Sequence, residues 1–221
     1  MRLPEKIFVL LRQHLNLTGD GYTRVKTENR VMNADSVFIE FPQLETESLI
    51  LREIKPSDAE AIFHIYADDD VTQYLDSETA TSLEQAKFII RRRAELFKNK
   101  QRVRWGIARK DNNVIIGSCG YAQWIQNASR AEIGYELAKA YWRKGIMTEA
   151  LTAIIKFGFQ KMKLNRIEAM TMVENKTSAK VLKKLGFLEE GILREYGFWK
   201  EQFHDLKLFS LLNKDYSNTI V

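Results

Sequence analysis

The spacing of apolar positions along this chain alternates between a period near two and a period near 3.6, and the switches outline its elements. Ser48–Ile54 reads as a strand. Pro56 then pre-sets a first helical turn, followed by an apolar stripe of Ala59, Ile62, Phe63 and Tyr66. Ser82 and Gln85 stand at capping-box spacing and open a second helix, Leu83 to about Lys98. Two strands follow, Val103–Arg109 and Val114–Trp124, joined by the turn Lys110-Asp111-Asn112-Asn113. After the loop 125–130 come a strand, Ala131–Leu137, a helix reaching about Met162, and a strand, Arg166–Val173. A helix from Asn175 is closed by Gly186 as a left-handed cap, and two last strands occupy about Leu188–Glu195 and Phe203–Leu212.

This order predicts an α+β domain over residues 41–221, with a mixed central sheet and helices on both faces. Residues 1–40 read as an appendage of open role. Pro4–Leu15 has the pattern of one amphipathic helix, with Ile7, Phe8, Leu11 and Leu15 on one side, and Thr18-Gly19-Asp20-Gly21 breaks it. Docking on the main domain, a homodimer contact and disorder all fit this stretch.

Length and composition suit a soluble globular protein: 221 residues, 45% hydrophobic and 29% charged. The net charge is +5, but acids interleave with the bases over most of the chain. A mildly basic enzyme that takes a polyanionic ligand therefore accounts for the charge better than a nucleic-acid binder. Arg91-Arg92-Arg93 reads as a solvated helix face. The one cysteine, Cys119, excludes an internal disulfide and lies in an apolar run, as an inert thiol would. His14, His64 and His204 have no ligand spacing, so no metal is expected. No apolar run approaches the roughly 18 residues of a membrane span, and Ile7–Leu11 is too short for a secretory core. The expected location is the cytoplasm, with no membrane or direct nucleic-acid partner.

The most informative run is Tyr141-Trp142-Arg143-Lys144-Gly145-Ile146-Met147-Thr148-Glu149-Ala150-Leu151. A strand, a short turn with two cations and a glycine, and then a helix start form an anion cradle. The first helical amides have no internal partner, the helix dipole is positive there, and glycine allows close approach of a phosphate. Downstream lies Asn175-Lys176-Thr177-Ser178, running into a helix that ends in Gly186-Phe187. Together with Leu49–Ile54, Lys55–Ala59 and Ala131–Tyr135, these motifs resemble the GNAT acyltransferase superfamily. The branch that contains the ribosomal-protein alanine N-acetyltransferases is the most similar, and the resemblance runs from about Leu44 to Asp215.

The resemblance implies a GNAT-type sheet, largely antiparallel, and acetyl-CoA as co-substrate. The acceptor it implies is a primary amine, with a protein N-terminus favoured over a small-molecule amine. A non-catalytic CoA-binding module is the competing class. Arg143, Lys144, Gly145, Ile146, Met147 and Thr148 would hold the pyrophosphate, although the family's Gln/Arg-x-x-Gly-x-Gly/Ala form is departed from at Trp142 and Met147. The strand at Gly134 would splay from its neighbour, so that amides near Tyr135–Ala138, including Leu137 and Ala138, meet the pantetheine arm; a plain glycine bulge is the other reading. Asn175 would also touch that arm, and capping its helix is a sufficient structural role for it. Ser178 matches a serine that acts near the leaving sulfur; the alternative is a serine bonded to its own helix. Tyr196 is another candidate acid. Glu132 is the candidate general base, or else an ion-paired surface glutamate. The acceptor groove would involve Ile62–Ser77 and the turn around Tyr196–Phe203. Asp68-Asp69-Asp70 reads as a solvated acidic loop or as an attractor for a cationic acceptor.

Overall fold

Eight strands join edge to edge in one sheet, seen in a computed structural model that describes residues 37–218. In chain order they are β1 (Leu44–Glu45), β2 (Leu49–Arg52), β3 (Val103–Arg109), β4 (Ile115–Ile125), β5 (Arg130–Leu137), β6 (Arg166–Met172), β7 (Leu188–Trp199) and β8 (Gln202–Leu212). The spatial order is β1-β2-β3-β4-β5-β6-β8-β7. Every neighbouring pair is antiparallel except β5 with β6. The helices are α1 (Ala59–Tyr66), α2 (Asp69–Thr72), α3 (Leu83–Lys98), α4 (Ile146–Gln160), α5 (Lys176–Lys184) and α6 (Asn213–Asn218).

Two cores lie on the two sides of the sheet. On one, α1 and α3 cover Ile54, Ala108 and Ile115 with Ile62, Ile65, Ala86 and Ile90. On the other, α4 contributes Met147, Ala150, Leu151, Ile154 and Ile155, and α5 contributes Leu182, against Trp105, Ile107, Ile133 and Ile167. Val37 and Phe38 are buried in this second core. Each such aliphatic side chain contributes about 1.5–3 kcal/mol when fully buried. The helices thus stand on both faces, as the alternation of periods requires.

Local signals hold where the sequence placed them. Ser82 and Gln85 form the capping box of α3, with Gln85 Oε1 accepting from Ser82 N at 3.1 Å. Gly186 closes α5 at φ +86°, and Phe187 N reaches back to Leu182 O. Pro56 opens a 3-10 turn that leads into α1.

The differences have local causes. β7 runs on to Trp199 rather than stopping at Glu195, because a register shift between Leu193 and Gly197, with Glu195 at positive φ, is absorbed and the strand resumes at Gly197. The hairpin turn is then Lys200-Glu201, both at positive φ, a turn without the Asn or Gly that would mark it in sequence. The elements β1, α2 and α6 have two, four and six residues, too few to show a period. The helix expected over Pro4–Leu15, and His14 with it, lies outside the described residues. Among the described residues no helix is long and apolar enough to cross a membrane.

Candidate active site

The seam between β5 and β6 organises everything else. Their parallel pairing covers Arg130–Ile133 against Arg166–Ala169 and then stops. β5 continues to Leu137 paired only with β4, while β6 continues paired with β8. Ala138 N donates to Ile116 O on the β4 side, so strand alternation aims the amides of Tyr135 and Leu137 at the opened seam. Gly134 is not a bulge: the register shift in this pair falls on β4, between Tyr121 and Gln123. A Cβ at Gly134 would stand 3.3 Å from Arg104 Nη1, so the glycine makes room for that guanidinium.

Where β5 ends, the chain turns into α4. Arg143 and Gly145 are both left-handed, at φ +60° and +79°. Gly145 is the N-cap and offers no side-chain cap; the first return bond runs from Glu149 N to Gly145 O at 3.0 Å. The amides of Ile146, Met147 and Thr148 are therefore left without intrahelical partners. Nothing stands within 4 Å of a Cβ built on Gly145, so the space in front of these amides is open. Lys144 Nζ lies over the Tyr141 ring at 5.5 Å, which holds a cation beside the turn. Free amides, a positive helix end, open space and two cations together fit a pyrophosphate. Trp142, the departure at the motif's first position, donates from its indole to Leu137 O at 2.7 Å and ties the turn to the end of β5. Met147, the other departure, is buried in the core.

A cavity of about 670 Å³ is lined from both sides of the sheet, by Arg93 and Leu96 of α3, by Met170–Met172 of β6, and by Asn175 and Ser178 of α5. A space bounded by helices on opposite faces has to pass through the sheet, and it does so at the opened seam. It brings together Glu132, Asn175 and Ser178, three of the residues singled out from sequence, with Tyr196 at its edge. Its lining does not include Leu137, the last residue of β5, nor Ala138 and Arg143–Thr148 beyond it. Of the expected acceptor groove, Tyr66, Tyr74–Ser77, Tyr196, Gly197 and Trp199 line the cavity, whereas Ile62 is wholly buried in the α1–α3 core.

Successive residues of β5 serve opposite faces. Glu136 points toward α3 and is buried; its carboxylate accepts from Arg104, from Ser118 Oγ and, at 3.2 Å, from Arg93 Nη2. Burial alone would raise this carboxyl, but the two guanidinium groups and the Ser118 bond outweigh it and hold it below the ordinary range. Glu132 sits on the same face nearer the mouth. Burial first, and then the neighbouring Glu168 carboxylate, raise its pKa above 4.5. On the other face, Asn175 Oδ1 accepts from Ser178 N at 3.0 Å, so its cap role is realised and its amide nitrogen is spared for other contacts. Ser178 Oγ lies 2.7 Å from Tyr135 Oη.

Sequence reasoning missed the parts played by Arg93, Tyr135 and Trp142. Arg93 is no part of a solvated face: it is largely buried, bonded to Tyr66 Oη at 2.6 Å and to Glu136. The signal was present, since Arg93 falls on the stripe Ala86, Ile90, Phe97. Arg91 and Arg92 are exposed, as expected. The aspartate run does structural work: Asp68 caps α2, Asp69 accepts from Thr79 Oγ1 at 2.6 Å, and Asp70 pairs with Lys139. Cys119 is buried, and burial pushes its thiol up to about 12. Among the described residues no group of three or more His, Cys, Asp or Glu could hold a metal ion.

A cavity passes through the split seam, and a candidate anion cradle stands at the end of the same strand. Residues 48–188 match the family model described as an acetyltransferase (GNAT) domain. The chain is 40% identical over 172 residues to YoaA, an uncharacterized N-acetyltransferase of Bacillus subtilis (strain 168), a match covering 78% of this chain and 97% of the relative. Among solved structures it is similar to the ribosomal-protein-S5-alanine acetyltransferase from Vibrio fischeri, with TM-score 0.68, 28% identity, and coverage of 79% of this chain and 98% of that one. It shares the fold of RimL, a ribosomal L7/L12 alpha-N-protein acetyltransferase in complex with coenzyme A, at TM-score 0.70 and 20% identity, over 77% of this chain and 98% of that one. The protein belongs to the GNAT acetyltransferase family. It is an N-acetyltransferase, and acetyl-CoA is its co-substrate.

Two predictions come from this geometry. Gly145→Glu places bulk and negative charge before the free amides, in open space. A side chain at φ +79° costs about 1–2 kcal/mol. The expected result is a protein that still folds, melts a few degrees lower, and gives no thermal shift with CoA; an undiminished CoA shift would put the cradle elsewhere. Glu136→Gln leaves Arg93 and Arg104 facing each other without a buried counter-charge, at a cost of about 3–5 kcal/mol. Because the folded pKa of Glu136 is depressed, its contribution is complete above the unfolded value of roughly 4.3 and is lost as pH falls through the folded value. Melting curves should show the gap between wild type and variant constant from neutral pH down to about pH 5 and closing only below that; a gap that closes above pH 6 would contradict this assignment.

Proposed function

We propose that the protein moves the acetyl group of acetyl-CoA to the amine at a protein N-terminus, by direct attack with both substrates bound. The observation that carries this reading is a cavity through the β5–β6 seam, with Glu132 on its α3 side and Ser178 on its α5 side. When bound, acetyl-CoA supplies an acyl thioester open to attack. The chain's own groups then have separable duties. The turn Arg143–Thr148 holds the pyrophosphate. The amides of Tyr135 and Leu137, and Asn175, take the pantetheine arm. Glu132 removes a proton from the attacking amine, directly or through water, and burial, by raising its pKa, makes it a stronger base. Ser178 holds a proton for the departing sulfur.

Support for a polar, peptide-like acceptor comes from the cavity wall. Among the described residues, Arg93 Nη1, Thr171 Oγ1 and Trp199 Nε1 are buried without hydrogen-bond partners, and all three residues line this cavity. Buried unpaired polar atoms are costly, and a side-chain turn toward the cavity would let a substrate's carbonyl oxygens pair with them. The Vibrio fischeri and L7/L12 enzymes are named for protein acceptors, which supports the same class. A ribosomal-type acceptor would also place the enzyme in the cytoplasm.

The test is a thiol-release assay with acetyl-CoA against free-N-terminal peptides, polyamines and small amines, followed by mass mapping of the product. Modification of the peptide α-amine is expected, and turnover of polyamines alone would overturn the acceptor assignment. Glu132→Gln should lower kcat by about 10²–10⁴. Because the base must be ionised, wild-type activity should fall as pH drops through the Glu132 pKa, above 4.5, and the glutamine variant should lack that limb. Full turnover by Glu132→Gln across pH 6–9 would remove Glu132 from the role.

A further inference from the structure

A serine in the first turn of a helix ordinarily bonds back to its own backbone. Ser178 Oγ instead meets Tyr135 Oη at 2.7 Å, across the gap between α5 and β5. The contact exists because of the seam: Tyr135 stands two residues past Ile133, the last β5 residue paired with β6. Ile133 and Leu137 on either side are buried in the α4–α5 core and fix the direction of the tyrosine between them. From the other side, the Asn175 cap fixes the first turn of α5 and with it the Cβ of Ser178.

Either oxygen could donate across this contact, and hydrogen-bond accounting favours the tyrosine. The tyrosine has one O–H, and its reachable acceptors are Ser178 Oγ at 2.7 Å and Ser178 O at 3.5 Å, the latter too long for a good bond. Donation by the serine would leave the half-buried phenolic proton only the 3.5 Å contact or the cavity. Donation by the tyrosine leaves the serine's proton free to point elsewhere, and the space beside both residues is the cavity. Burial also pushes the Tyr135 phenol up to about 12 despite the serine bond, so it keeps its proton at working pH.

We propose that Tyr135 is a positioning residue of the reaction: its O–H donates to Ser178 Oγ and thereby turns the serine's own proton into the cavity, toward the departing sulfur. When the N–C bond forms and the C–S bond breaks, Ser178 gives its proton to the thiolate. The serine oxygen then draws on the tyrosine O–H bond, and the proton taken by Glu132 returns to the pair through solvent. This rests on the assignment of Ser178 made above and adds the group that aims it.

A double-mutant cycle on kcat separates this from a packing role. Tyr135→Phe keeps the ring and removes only the hydroxyl. It should lower kcat about tenfold, the worth of one neutral hydrogen bond, with the KM for acetyl-CoA changed by less than about twofold. In a Ser178→Ala background the same change should alter kcat by less than about twofold, because the group it aims is gone. Melting curves of all four proteins establish that each is folded at the assay temperature. Full kcat in Tyr135→Phe, or an equal loss in both backgrounds, overturns the proposal. Full kcat in Ser178→Ala removes the serine's role and this inference together, while acetylation of the peptide panel would still stand.

Discussion

A buried carboxylate holds the working half of β5 in place. Past Ile133 the strand has given up β6, and backbone bonds to β4 are its only ladder. Glu136 supplies the missing anchorage through its side chain. It joins Arg104 of β3, Ser118 of β4 and Arg93 of α3, and Arg93 in turn holds Tyr66 of α1. Taking three charges out of water is expensive, and the carboxylate offsets this by accepting from three donors. The reward is positional: β5 stays straight enough to present its amides to the seam, and the seam stays open. The same arginines wall the cavity, so the anchor and that wall are built from one set of residues.

Most of the fold was legible because its elements follow simple periods. The capping box at Ser82, the left-handed glycine at Gly186 and the alternation in β3, β4 and β5 are local rules with local outcomes. What escaped depends on contacts between distant residues. Nothing near Glu195 says that a strand will resume after a register shift, and nothing in Lys200-Glu201 announces a tight turn. Arg93 was misread because charge was given more weight than position; its place on the apolar stripe of α3 would have shown it to be buried, although not that Glu136 was waiting for it. The partnership of Tyr135 with Ser178 could not be read at all, since it exists only once the seam has opened.

The candidate cradle shows how a motif can lose its letters and keep its physics. A phosphate-binding turn of this kind needs a reversal of chain direction, amides left free at a helix start, and open space before them. Arg143 and Gly145 in left-handed conformation supply the reversal, and the uncapped start of α4 supplies the amides. Trp142 takes over the task of fastening the turn to β5 by an indole bond to Leu137 O. Met147 packs inward, and its backbone N–H remains available whatever the side chain is. Glu149, one turn into the helix, fixes the start of α4 from below by accepting from Ser48 N and Ser48 Oγ, both at 2.8 Å.

The pleat of β5 then explains how groups on the two faces of the sheet can share one cavity. Even-numbered residues, Glu132 and Glu136, belong to the α3 side, and odd-numbered ones, Tyr135 and Leu137, to the α4–α5 side. In an unbroken sheet these faces would be sealed from each other. A parallel pair sealed for only four residues leaves the rest of the strand open to both. The candidate base and the candidate proton donor can therefore sit on opposite faces of one strand and still line one cavity.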